Sequence, residues 1–182
     1  MKSPTPFART AAFPGVISDF QLAVAGLALL PFVFHFFPVS TETPIGARLL
    51  PIFYAPLLAA IYFRMGIAVA LAGLVPWVSH MLMGHPEPGM AGLLMAELLL
   101  FVLFVLMLVS LLGARWWMGP AAYLLTKPFS GVLLVLLPDL LVPIPYMAHL
   151  TGTVTRSWPG LIALAIIGWL GSRQRGTPAA SV

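Results

Sequence analysis

LPIFYAPLLAAIYFRMGIAVALAGLVPWVSHMLMGHPEPGMAGLLMAELLLFVLFVLMLVSLLG, running from Leu50 to Gly113, is a chain of apolar runs broken only at Arg64 and at the GHPEPG segment of residues 84–89. A helix needs roughly 20 apolar residues to cross a bilayer, which is about the length of each run. Gly, Pro and polar residues cannot leave their backbone unpaired in lipid, so the interruptions read as turns. The stretch is therefore a succession of membrane-crossing helices.

The rest of the chain has the same character. It is 60% apolar and only 8% charged over 182 residues, with a mean hydropathy of +1.02, far from soluble domains. Spans are expected at about Ile17–Phe37, Ala47–Phe63, Gly66–Met83, Ala91–Leu112, Met118–Val142 and Trp158–Leu170, each long enough or nearly long enough to cross. Turns are expected at Pro38–Gly46, Arg64–Gly66, Gly84–Gly89, Gly113–Gly119 and Pro143–Ser157. The expected fold is an all-α integral membrane protein, a bundle of about six transmembrane helices. No room is left for a soluble catalytic domain.

Orientation follows from the basic residues. With a cytoplasmic N-terminus, the inner face collects Lys2, Arg9, Arg64, Arg115, Arg173 and Arg175, while the outer loops keep Arg48 and Arg156. This N-in, C-in arrangement satisfies the positive-inside rule. It divides the chain into a cytoplasmic leader (1–16), a single six-helix membrane domain (17–172) and a cytoplasmic tail (173–182). The formal charge of +4 is explained by this topological signal and calls for no nucleic acid. Trp116 and Trp117 beside Arg115, and Trp158 on the other side, read as interfacial anchors.

Chemistry is limited by what is missing. Cysteine is absent, which excludes disulfides and thiolate chemistry. No GxSxG, HExxH, rhomboid-like Ser and His arrangement, acidic metal-binding cluster or GxxxxGK[ST] loop occurs. His35, His80, His85 and His149 gather toward the outer face, but none has helical ligand spacing with a carboxylate, so no metal and no other cofactor is expected.

Two ionisable residues fall inside apolar runs: Glu97, in GLLMAELLLF, and Lys127, in AYLLTKPFSG. A charge in the membrane is expensive unless it faces a partner or a cavity, so both are candidates for function. Mutual neutralisation, or snorkelling of Lys127, is the plainer explanation. Pro128 is expected to kink the helix beside Lys127. Tyr54, His80, Asp139, Tyr146, His149 and Trp158 complete the set of residues that could touch a solute from outside.

Small residues recur at four-residue spacing: Ala55 with Ala59, Gly66 with Ala70, and Ala68 with Ala72, with Ala23, Gly26 and Ala28 forming a looser patch. Such positions let helices approach closely. They serve either packing within the bundle or docking of another membrane subunit, for which Ala23, Gly26, Ala55, Ala59, Ala68 and Ala72 are the candidates.

Taken together, Leu50-Pro51, Pro56, Gly66, Gly73, Pro76, Met83-Gly84 with Pro86, and Met95 with Glu97 resemble the substrate-binding S component of energy-coupling factor (ECF) vitamin transporters. TKPFSG and SWPGLIALAIIGWLGSR resemble the fifth and sixth helices of that family. The chain departs from the pattern at Phe53-Tyr54, where a His often precedes the proline, and in the small residues around Ala23 to Ala28. The resemblance implies a non-enzymatic, multi-pass protein of a bacterial or archaeal cytoplasmic membrane. It would capture a vitamin-like small molecule from outside and deliver it with a transmembrane coupling subunit and two ATPase subunits. Glu97 and Lys127 would be the buried polar contacts, with Tyr54, His80, Tyr146, His149 and Trp158 above them and Asp139 at the mouth. The alternative is a structural six-span protein of a cell-envelope assembly, of the rod-shape-determining MreD type.

Overall fold

The computed structural model describes residues 48–62, 65–138 and 140–175, together with the isolated helical positions Gly26, Leu29 and Val33. Ala23, Asp139 and most of the expected first span lie outside the described residues. What is described is helical, with no strand. A 3-10 turn at Pro51–Phe53 leads into α1 (Tyr54–Tyr62), followed by α2 (Met65–Met83), α3 (Pro88–Leu112), α4 (Met118–Leu136), α5 (Tyr146–Arg156) and α6 (Trp158–Arg175).

The boundaries have local causes. Helix α2 stops at Gly84, whose φ of +70° returns its N–H to His80 O at 2.8 Å, and α3 stops at Gly113, whose φ of +72° returns its N–H to Val109 O at 3.1 Å. Both endings use a positive φ, which glycine adopts without steric penalty. Pro88 opens α3 at a position where a missing N–H is harmless. Helix α4 runs continuously through Pro128 and ends at Leu136 rather than near Val142, because Pro138 disfavours helical backbone in the residue before it.

Helices α2, α3 and α4 are long and apolar enough to cross a membrane. Pro51–Tyr62 is shorter; at about 1.5 Å per residue it reaches about 18 Å, against a hydrocarbon core of about 30 Å. The expected span Ala47–Phe63 is cut at Leu50, which takes a left-handed φ of 56° just before the 3-10 turn. Helix α6 runs beyond the expected Leu170 to Arg175. The expected turn Pro143–Ser157 is instead largely helical. Its residues 146–156 form α5, which meets α6 at a bend of 62°. The bent pair taken as one unit would make a fourth span.

Every residue of α1 from Tyr54 to Ile61 is buried, as a helix apolar on all faces should be. It packs against α2, α3 and α6, while α4 joins α3, α5 and α6. Phe53 meets the rings of Phe101 (5.0 Å, 83°) and Tyr123 (5.2 Å, 84°) edge to face, which ties the start of α1 to α3 and α4. The outside is equally apolar: Leu74, Met81, Leu103, Leu111, Phe129, Val135, Ile162 and Ile166 are exposed. In water such a surface is an aggregation liability; acyl chains suit it.

Ala55, Ala59, Ala68 and Ala72 are buried by the chain's own helices. Their small side chains let α1 and α2 sit close to their neighbours within the bundle, which is the packing use of these positions. Gly66 and Ala70 are exposed, as is Gly26.

A buried polar cluster between α3, α4 and α5

Glu97 comes from α3, Lys127 and Ser130 from α4, and His149 from α5. One helical turn separates Lys127 from Ser130, so both project from the same face of α4. Lys127 Nζ donates to both carboxylate oxygens of Glu97 at 2.8 Å. Ser130 Oγ donates to Glu97 Oε1 at 3.0 Å. His149 Nε2 lies 3.3 Å from the same oxygen and 3.0 Å from Ser130 Oγ. A carboxylate only accepts, so a proton on Nε2 satisfies both of these contacts. Glu97 is thereby the acceptor on which the ammonium, the hydroxyl and the imidazole converge.

All four residues are buried, Glu97 at 2% and Lys127 at 3% relative exposure. Among the described residues no buried side-chain nitrogen or oxygen lacks a partner. Removing two charges from water is costly, and the short ion pair with its further hydrogen bonds offsets that cost. The Tyr123 ring lies beneath Lys127, with Nζ 4.7 Å from its centroid, and the Tyr123 hydroxyl donates to Ser157 Oγ at 3.3 Å. The cluster is thus linked to the α5–α6 bend, where Ser157 sits.

Helix α5 reaches the cluster because α4 has no side chain at Gly131. A Cβ there would stand 2.7 Å from Tyr146 Cε2 and 3.5 Å from His149 Cδ2, so Tyr146 and His149, one turn apart, both rest on bare backbone. Two threonines of α5 bond back to their own helix: Thr151 Oγ1 donates to Met147 O and Thr155 Oγ1 to Thr151 O, both at 2.8 Å. This back-bonding gives the hydroxyls partners within their own helix.

The expected solute contacts therefore divide. Glu97, Lys127 and His149 converge, and Tyr146 packs beside them. Tyr54 donates its hydroxyl to Leu49 O, which pins the turn before α1. His80 Nδ1 donates to Pro86 O at 2.8 Å, and Ser79 Oγ to His85 O at 3.1 Å; both brace the loop between α2 and α3. Trp158 is 62% exposed at the start of α6, and Asp139 lies outside the described residues. Ser130, Tyr123 and Gly131 were not foreseen from the sequence. Ser130 stands one turn from Lys127 in TKPFSG, which was the available signal.

The sequence shows no intramembrane Ser and His arrangement, yet the fold brings Ser130 and His149 within 3.0 Å. The carboxylate lies on the same Nε2 edge of the imidazole as the serine. A Ser-His-acid triad needs its acid across the ring at Nδ1, so the relay order of nucleophile, base and acid is not reproduced. Among the described residues no group of three His, Cys, Asp or Glu side chains converges as metal ligands would. No protein-family model matches the sequence, and no curated protein or solved structure shows significant similarity to it.

Proposed function

We propose that this chain is a solute-binding membrane subunit of the S-component type, with about six spans, both termini in the cytoplasm, and a small water-soluble nutrient as its cargo. The observation that carries the reading is the four-residue polar cluster of Glu97, Lys127, Ser130 and His149, built from three helices inside an otherwise apolar bundle. Ionisable groups at membrane depth mark binding sites and pathways. Aromatic and apolar walls with a few convergent polar groups are what a small ligand needs, and Tyr123 and Tyr146 lie beside the cluster. A transmembrane coupling subunit and two ATPases would supply the energy that this chain, lacking a phosphate-binding loop, does not.

The structural alternative draws support from one observation. Glu97 and Lys127 neutralise each other, and no buried polar side-chain atom of the described residues is left over, as a purely architectural staple would require. Thermal unfolding of the detergent-purified protein with a panel of water-soluble vitamins separates the two readings. A ligand that binds the native state raises the melting temperature by mass action. No stabilisation by any nutrient, together with recovery of cell-shape proteins and no ATPase from tagged protein, would favour the structural role.

A further inference from the structure

We infer that the solute held at this cluster carries no net charge and presents a hydrogen-bond acceptor and donor close together, as a zwitterion or the amide edge of a heterocycle does. The inference rests on the solute-binding reading and narrows it.

Lys127 and Glu97 are one cation and one anion at 2.8 Å, both almost wholly buried. Ser130 can donate or accept, and so can the imidazole of His149. Every buried polar side-chain atom of the described residues is already paired. A solute that enters must therefore replace existing bonds; no vacant donor or acceptor awaits it. An anion that took the Lys127 ammonium would leave two carboxylates sharing one cation in a weakly screened interior. A cation that took the Glu97 carboxylate would leave two positive groups sharing one anion. Either imbalance is penalised more heavily inside the bundle than in water.

A solute that brings an acceptor to Lys127 and a donor to Glu97 avoids both penalties. It slips between the pair, exchanges each bond for an equivalent one and leaves the buried charge unchanged. Ser130 and His149, on the Oε1 side of Glu97, can turn their donor and acceptor roles to match a polar edge. The Tyr123 ring beneath Lys127 Nζ is wholly buried, so the rest of the molecule meets aromatic surface only by displacing the side chains that now cover it. Tyr146 and His149 on α5 close over the same region.

The test uses the full-length protein, purified in detergent after expression in rich medium, and the non-lipid small molecule released when it is denatured. Capillary electrophoresis at neutral pH, paired with mass spectrometry, reads the charge of that molecule. Co-migration with a neutral marker is expected, as is its loss from Lys127→Met protein that elutes monodisperse. Migration as an anion or a cation overturns the inference and leaves the solute-binding reading standing. Absence of any non-lipid molecule, with no nutrient raising the melting temperature, removes that reading and the inference with it. If Lys127→Met does not fold, Ser130→Ala takes its place; full retention of the molecule by that variant puts it elsewhere and overturns the assignment.

Discussion

Lys127 of α4 grips Glu97 of α3 through both carboxylate oxygens at 2.8 Å, and this pair is the polar centre of a bundle whose other contacts are mostly apolar. Its first consequence is for stability. Removing one member strands the other charge, a loss of about 3–5 kcal/mol. Lys127→Met and Glu97→Gln should each lower the unfolding midpoint in detergent. The double variant should lose clearly less than the sum of the single losses, because the two residues are coupled. Strictly additive losses would mean that the pair does not form.

Gly131 sets the position of α5. In Gly131→Ala the new methyl group falls 2.7 Å from the Tyr146 ring, so the ring or the helix must move. Overpacking of this kind is worth about 1–3 kcal/mol. The melting temperature should fall, and adding Tyr146→Ala should restore part of the loss. If Tyr146→Ala gives no relief, α5 does not rest on Gly131.

The pairs Ala55–Ala59 and Ala68–Ala72 should prove internal. Ala59 and Ala72 are both completely buried, so Ala59→Leu or Ala72→Leu should destabilise the isolated protein by about 1–3 kcal/mol. Ala70→Leu, at an exposed position, should change stability by no more than about 0.5 kcal/mol. Detergent melts of the three single variants check this directly. Equal tolerance at all three positions would contradict the packing described for α1 and α2.

Topology is open to reporter fusions. Fusions after Arg9, Arg64, Arg115 and Arg175 should report cytoplasm, and insertions near Glu42, Glu87 and Thr151 should report the outside. Termini on opposite sides would exclude the proposed arrangement of spans.

The apolar helices were legible because their signals are local. Expected spans Gly66–Met83 and Ala91–Leu112 correspond closely to α2 (Met65–Met83) and α3 (Pro88–Leu112), since glycine and proline punctuate long runs of Leu, Val and Ala. Helix α5 was not legible. Its His, Thr and Gly residues look like a loop, and what places it as a helix is its anchor on Gly131, a residue of another helix. Glu97 and Lys127 stood out because ionisable groups are rare in apolar runs. Ser130 did not, because serine in such a run ordinarily bonds its own helix; its carboxylate partner is 33 residues away in sequence. Ala59 and Ala72 show the same limit, since four-residue spacing marks a close approach without saying which surface approaches.

The central claim is that the Glu97–Lys127–Ser130–His149 cluster contacts a solute. The most direct measurement is calorimetric titration, into wild type and Ser130→Ala, of a nutrient that stabilises the wild-type protein. A hydrogen bond involving a charged group is worth roughly 1.5–3 kcal/mol, so Ser130→Ala, which alters the donors around the Glu97 carboxylate, should weaken binding about ten- to a hundredfold while remaining folded and monodisperse. Unchanged affinity in the folded variant would contradict the account and leave the cluster as an internal brace.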